Sequence, residues 1–209
     1  MKTSDYICRK ALPGDSIPDI AKYIHLTDPY IYPTITRNPQ DPDWEKLIAS
    51  AAVQENSIFS LSRISVVLYR GKIIGIACVI PCSSPLSLSG ITVAESLRDG
   101  FRKADEGYFS PLIRESADLD GYNITNVCID ECHRGFGVGT LLLQHCIEEY
   151  GTHTLHLDVI ASNSAAIRLY QKFGFEISDA YNGFSGSEQP LPCYRMTRKP
   201  TAKNYDNLP

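Results

Sequence analysis

The order of apolar patterns along this 209-residue chain predicts an α/β fold built on a mixed sheet. In the first half, runs rich in Ile and Val are typical of antiparallel strands joined by a tight turn. In the second half, strand-like runs alternate with helical patterns, as in a parallel crossover packed by helices. A cluster of glycines lies at the first strand-to-helix junction of that second half, where a turn is needed.

The first elements predicted are a strand and two helices. Tyr6 to Lys10 has the composition of a strand, and Asp15 or Ser16 caps a helix that has Pro18 in its first turn. A second helix is expected from Asp41-Pro42 to about Gln54.

A hairpin is predicted next, and a long segment without a clear pattern of strands or helices follows it. Arg63 to Tyr69 and Lys72 to Ile80 are the predicted strands of the hairpin. We interpret residues 82–120 as an insertion in the same domain, because no repeat or linker indicates a separate domain. One domain is therefore expected over residues 1–200, with a C-terminal tail at 201–209.

The run Tyr122 to Ile129 predicts a further strand. Strict alternation would place Ile124 and Cys128 on one face and Val127 and Ile129 on the other. Because the apolar helix pattern starts soon afterwards, this strand is expected to lead through the glycine turn into a packed helix.

That turn, Arg134-Gly-Phe-Gly-Val-Gly139, is the most informative segment of the chain. Glycine lets a ligand approach the backbone, and the first N–H groups of a helix are unpaired and attract anions. Arg134 adds a charged donor. The spacing does not fit the dinucleotide pattern GxGxxG, since Thr140 and Leu142 stand where its last glycine would be, and no GK[ST] sequence occurs. Phosphate binding is predicted, although a simple tight turn would use the same glycines.

Two motifs, in matching order and spacing, resemble those of the GNAT family of N-acetyltransferases. The family's R/Q-x-x-G-x-G/A is complete at Arg134 to Gly139. Its N-x-x-A-x-x-x-Y signature, followed by a helix end at Gly-Phe, is matched by Asn163 to Phe175, where Asn163 or Ser162 caps the helix. Thr154 to Ile160, between the two motifs, has the pattern of a strand.

The resemblance implies a GNAT-type fold and a cosubstrate. The sheet would be mixed and mostly antiparallel, with one parallel strand pair splayed apart and helices on both faces. Acetyl-CoA would lie with its pantetheine arm along the first splayed strand and its pyrophosphate on the amides of the glycine turn. The cofactor-binding residues implied are Val127, Cys128, Ile129, Arg134, Gly135, Phe136, Gly137, Val138, Gly139, Thr140, Asn163 and Tyr170.

By the same resemblance, the chain transfers an acetyl group to a primary amine by direct attack in a ternary complex. Tyr170 matches the tyrosine that many relatives place near the thioester sulfur, so it is the candidate catalytic proton donor. Packing of its ring against the cofactor is the alternative. A water chain is one route for the amine proton, and the candidate bases are Asp120, Asp130, Glu131, Glu106 and Glu115.

The acceptor is not identified by the sequence. A small-molecule amine or a peptide amino group is expected, and a homodimer is left open. Residues with the chemistry to hold an amine, although tyrosines beside prolines also pack ordinary loops, are Tyr23, His25, Asp28, Tyr30 and Tyr32. An acyl-CoA-binding regulator or catalytically silent relative is the alternative function, and a dinucleotide-dependent oxidoreductase is disfavoured by the glycine spacing.

Composition narrows the class of partner. With 43% hydrophobic residues and a net charge of −4, the chain can form a core and lacks the basic surface of a general nucleic-acid binder. The start has no signal-peptide core, and no apolar stretch is long enough to span a bilayer. We therefore expect a cytoplasmic enzyme without nucleic-acid or membrane partners.

Seven cysteines in strand and helix patterns predict reduced, packed thiols. A zinc site would have to combine Cys128, Cys132 and His133 with His145 and Cys146, on the other side of the glycine turn. Since these residues contain no CxxC pair, no metal is expected.

Overall fold

The computed structural model describes residues 5–27, 42–55, 57–83, 119–183 and 191–200. Within these ranges, one mixed sheet of seven strands has helices on both faces, which confirms the predicted fold class. The strands are β1 Tyr6–Lys10, β2 Ile64–Tyr69, β3 Lys72–Pro81, β4 Tyr122–Ile129, β5 Leu155–Ile160, β6 Glu176–Gly183 and β7 Leu191–Arg198. The helices are α1 Ile17–Thr27, α2 Pro42–Ala52, α3 Val138–Tyr150 and α4 Ser164–Lys172.

The strand order is β1-β2-β3-β4-β5-β7-β6, and every neighbouring pair is antiparallel except β4 and β5. β7 was not predicted from the sequence. Its run Leu-Pro-Cys-Tyr-Arg-Met-Thr-Arg looks too polar for an internal strand, yet β7 pairs on both sides and its Arg195 is buried against a carboxylate of β5. Most of the predicted insertion, residues 84–118, lies outside the described residues, so the domain boundaries stay predictions.

The local signals at the helix starts are borne out in detail. Ser16 caps α1 by accepting a hydrogen bond from the Asp19 N–H at 3.3 Å, whereas Asp15 forms an ion pair with Arg9 at 2.7 Å. Asn163 caps α4, because its Oδ1 accepts from the Ala166 N–H at 3.2 Å. Side-chain oxygens thus satisfy N–H groups that the helices leave unpaired at their starts.

The sheet separates two apolar clusters. On one face, α1 and α2 pack against β2, β3 and β4 and bury residues such as Ile20, Ile24 and Ile48. On the other face, α3 and α4 pack against β1 to β5 and β7, with Leu142 and Leu143 fully inside. The burial of both faces places the ends of the central strands between two layers of helices.

A bulge in β4 contradicts the predicted division of its side chains. Asn126 has a φ of +52°, and the pairing with β3 shifts between Ile76 and Cys78. One extra residue in a strand reverses the alternation that follows it. Ile124 therefore lies in the α3 cluster, whereas Cys128 lies in the α1 cluster, and strict period-two counting could not reveal the reversal.

Candidate functional site

The two parallel strands at the centre of the sheet separate soon after they begin. β4 and β5 pair only at Tyr122 with Leu155 and at Asn123 with His156. Beyond these two positions, β4 continues to Ile129 without pairing to β5. On that side the β4 backbone forms no further pairs with β5, and the carbonyl of Ile129 accepts a hydrogen bond from Arg134. The remaining open edge suits an extended ligand, and it has the splayed geometry that the family resemblance implied.

The glycine turn connects the open end of β4 to α3. Gly135 and Gly137 both have a φ of +80°, a left-handed conformation that favours glycine. Gly137 is the N-cap of α3, and no side chain caps this helix start. The unpaired N–H groups of the first turn and the positive end of the helix dipole suit an anion, so an acyl-CoA pyrophosphate fits these residues.

Gly139 has a packing reason for being glycine. A Cβ at this position would lie 3.3 Å from Cδ2 of Leu169, so its absence lets α3 pack closely on α4. Phe136, at the tip of the turn, keeps 39% of its surface exposed, while Val138 is buried. The turn therefore exposes an aromatic ring next to the uncapped start of α3.

Arg134 connects the turn to the end of β4. Its Nε donates to the carbonyl oxygen of Ile129 at 3.0 Å, and its Nη1 lies 3.6 Å from Glu131. The side chain is 60% exposed, so most of its charge faces solvent. A guanidinium in this place can attract a phosphate group and also fix the strand end.

Tyr170 lies in the apolar cluster that also receives Val127 and Ile129 from the open part of β4. Burial raises the pKa of its phenol to about 12. Its ring packs 6.1 Å from that of Phe175, and its hydroxyl makes no hydrogen bond within the described part of the chain. The predicted proton donor thus shares an apolar cluster with the open end of β4, its burial favours the neutral phenol, and its hydroxyl has no partner among the described residues.

Asn163 has a structural role in addition to the predicted cofactor contact. Its side-chain oxygen is occupied by the cap of α4, as described above. Since α4 carries Tyr170, the cap also fixes the start of the helix that positions the phenol.

The candidate bases differ in their surroundings. Both oxygens of Asp130 accept hydrogen bonds, and the backbone N–H of Cys132 is the main cause that lowers the pKa of this carboxyl. Glu131 is 85% exposed, and Asp120 is also exposed. Glu106 and Glu115 lie outside the described residues. None of the three described carboxylates therefore stands out as a base.

An acid on β5 escaped the sequence analysis. Asp158 lies past the point where β5 separates from β4, and its two oxygens accept from Nε and Nη2 of Arg195 at 3.0 and 3.3 Å. The signal was present, because an acidic residue inside the apolar run Leu-His-Leu-Asp-Val-Ile needs a partner if the strand is internal. Its partner Arg195 lies directly opposite Asp158 on β7, and the sequence analysis did not identify β7 as a strand.

The residues proposed for the acceptor are only partly described. Tyr23 is 2% exposed and donates to Asp130 at 3.0 Å, so it is a core residue rather than a surface for an amine. His25 is half-buried, and burial lowers the pKa of its imidazole. Asp28, Tyr30 and Tyr32 lie outside the described residues.

The residues weighed for zinc are not brought together. Cys128 and Cys146 lie in different apolar clusters on opposite faces of the sheet, and His133 contacts the Tyr6 hydroxyl through Nδ1 at 3.1 Å. Among the residues that the structure describes, no three His, Cys, Asp or Glu side chains form a group that could hold a metal ion. The same residues include no helix with the length and apolar character needed to cross a membrane.

Known proteins resemble this chain in sequence and in fold. The ribosomal protein bS18-alanine N-acetyltransferase of Escherichia coli (strain K12) is 36% identical over 78 residues, which are 36% of this chain and 53% of that protein, so the match spans about half of the relative's length. An N-acetyltransferase from Staphylococcus aureus Mu50 has the same fold, with a TM-score of 0.72 at 19% identity over 91% of this chain and 99% of that one.

A further solved structure with this fold is yncA from Salmonella typhimurium, a putative acetyltransferase with its cofactor acetyl-CoA. Its TM-score is 0.59 at 19% identity, covering 95% of each chain. In addition, the model of the family described as "Acetyltransferase (GNAT) family" matches residues 25–175, which are well over half of the sequence. The chain therefore belongs to the GNAT acetyltransferase family.

Proposed function

We propose that this chain is an N-acetyltransferase that moves the acetyl group of acetyl-CoA to a primary amine by direct attack in a ternary complex. The observation that carries the proposal is the opening between β4 and β5, which leads directly to an uncapped helix start. Together these features suit a ligand with an extended amide arm and an anionic end.

The chain's own groups would divide the binding between them. The backbone of Val127 to Ile129 pairs with the extended arm, and the amides of Gly135 to Thr140 hold the phosphates. Arg134 adds charge at the same end and keeps the strand end in place through Ile129. Asn163 is proposed as a further contact at the start of α4, adjacent to its capping bond.

Tyr170 is the proposed catalytic residue. Acetyl-CoA supplies the acetyl group through its thioester. The raised pKa keeps the proton on Oη of Tyr170 at neutral pH, so the phenol is present as a donor when charge develops on a leaving sulfur. The burial that raises the pKa also excludes water from the same place.

For the acceptor, we propose a peptide amino group or a small-molecule amine. The name of the Escherichia coli relative, an alanine N-acetyltransferase for a ribosomal protein, supports a protein amino terminus as one choice. The net charge of −4 is compatible with a cationic acceptor of either kind.

The test is to measure thiol release from acetyl-CoA across a panel of polyamines, amino acids and peptides that begin with alanine. Acceptor-dependent release, together with an acetylated product seen by mass spectrometry, is the expected result. Calorimetric binding of CoA with no acceptor-dependent release would favour the alternative, an acyl-CoA-binding regulator. Absence of CoA binding would contradict both functions.

A further inference from the structure

Helix α1 contacts β4 through polar side chains at both ends of the segment proposed to pair with the cosubstrate. Tyr23 of α1 reaches Asp130, which directly follows β4, and Thr27 at the end of α1 reaches Asn126 in the bulge. The backbone between these two points is Val127 to Ile129. Polar contacts therefore flank the open segment on the side opposite α3.

The first contact holds the strand end. Oδ2 of Asp130 accepts from the Tyr23 hydroxyl at 3.0 Å and from Nζ of Lys22 at 3.4 Å. Oδ1 accepts from the N–H of Cys132 at 3.1 Å and so caps the short helical turn that leads to Arg134. A single carboxylate thus joins α1, the end of β4 and the approach to the glycine turn.

The second contact holds the bulge. Nδ2 of Asn126 donates to Oγ1 of Thr27 at 2.7 Å, and the Thr27 hydroxyl donates its own hydrogen to the carbonyl oxygen of Ile24 at 2.6 Å. This donation orients a lone pair of Thr27 toward Asn126. Asn126 has a left-handed φ of +52°, a conformation that costs energy for a residue with a side chain and needs support from its surroundings.

We propose that α1 is a clamp that positions the open segment of β4 for acyl-CoA, with Tyr23 and Asn126 as its positioning residues. The inference rests on the proposed function, because it concerns the same strand. Holding the bulge and the strand end before the ligand arrives reduces the ordering that binding must otherwise supply. Loss of either contact should weaken CoA binding and leave the chemical step intact.

The rival interpretation makes Asp130 the general base. If Asp130 were the base, Tyr23→Phe would remove a hydrogen bond that lowers the pKa of this carboxyl, so the acidic limb of the kcat profile would move to higher pH while CoA affinity stayed unchanged. Asp130→Asn would abolish that limb. A positioning role predicts that both substitutions raise the KM for acetyl-CoA and that the acidic limb of kcat persists in both.

The experiment compares full-length wild type with Tyr23→Phe and Thr27→Val by calorimetric titration with CoA and by steady-state kinetics. Each variant should bind CoA about 3- to 10-fold more weakly, with kcat within about 2-fold, because each loses the hydrogen bond that joins α1 to the end or the bulge of β4. Thr27→Val also loses the bond to the Ile24 carbonyl, which lies within α1. Tyr150→Phe is the matched control. The Tyr150 hydroxyl accepts a hydrogen bond from Nζ of Lys10 on β1 at 2.7 Å, away from the open segment. The CoA affinity of this variant should therefore equal that of the wild type.

A second pair of variants separates the clamp from general destabilisation. Asn126→Gly keeps a residue that accepts the left-handed φ but loses the bond to Thr27, so it should match Thr27→Val in CoA affinity while its thermal stability stays close to wild type. Wild-type affinity in Thr27→Val, Tyr23→Phe and Asn126→Gly would overturn the clamp alone. If wild type itself binds no CoA, the proposed function fails and the clamp fails with it.

Discussion

The two edges of β5 differ sharply in how they are held. Toward β7, all six residues from Leu155 to Ile160 are paired. Toward β4, pairing stops after two. β5 is therefore paired along its whole length on one side and open along most of its length on the other.

The opening therefore does not arise because β4 or β5 is poorly paired within the sheet. β4 is likewise paired to β3 as far as Ile129, so each wall of the opening is supported from behind. The buried Asp158–Arg195 pair reinforces the β7 side, and the contacts to α1 reinforce the β4 side. A site with rigid walls keeps its geometry when empty, which is what binding of an extended ligand requires.

The largest effect is expected from breaking the closed edge of β5. Asp158→Ala removes the carboxylate that neutralises Arg195, whose side chain is only 10% exposed, and should lower the free energy of unfolding by about 3–5 kcal/mol. Urea denaturation measures the loss. The double variant Asp158→Leu with Arg195→Met should recover much of the stability, and a double variant as unstable as the single one would contradict this explanation.

The next largest effect is expected at the open edge of β5, where a substitution should lower turnover without disturbing the pairing of the strands. Tyr170→Phe keeps the ring in its cluster but removes the proton, so kcat should fall about 100-fold while CoA affinity stays within about 2-fold. Steady-state kinetics and calorimetry measure the two quantities. Unchanged turnover would remove Tyr170 from the catalytic machinery and leave it as a packing residue.

A smaller effect is expected at the anionic end of the opening. Arg134→Glu replaces attraction by repulsion and should weaken CoA binding about 10-fold or more, and Arg134→Gln should have a smaller effect. Calorimetry at two salt concentrations measures both, and the difference between them should shrink at high salt. Equal affinity in wild type and Arg134→Glu would mean that the guanidinium only fixes Ile129.

The smallest effect is expected at a site away from both edges of β5. The hydrogen bonds from Arg9 are the main cause that lowers the pKa of Asp15. A lowered pKa in the folded state stabilises the protein above the unfolded-state value of about 3.9, and this contribution is lost as pH falls through the lower folded value. Asp15→Asn should therefore flatten the stability profile in that acidic window, measured by denaturation across pH, and leave CoA binding unchanged.

Much of the fold was predictable because its signals are local. The caps at Ser16 and Asn163 and the glycine turn depend on a few neighbouring residues, so their chemistry is readable in the sequence. The reversal of faces in β4 was not predictable, because a left-handed Asn126 leaves no gap in the alternation. β7 was missed for a related reason, since the partner that makes its buried arginine tolerable lies on another strand.

By itself, the sequence determined the order of the described elements before β7, the family motifs and the identity of the groups offered to a phosphate, since these follow from short-range patterns. Only the tertiary structure decided that β4 and β5 pair at two positions, that Tyr170 is buried in the same apolar cluster as the open end of β4, and that Tyr23 and Asp158 bond to distant partners. Those outcomes depend on hydrogen bonds and packing between residues far apart in the chain, and the preference of a single residue carries no record of its distant partner.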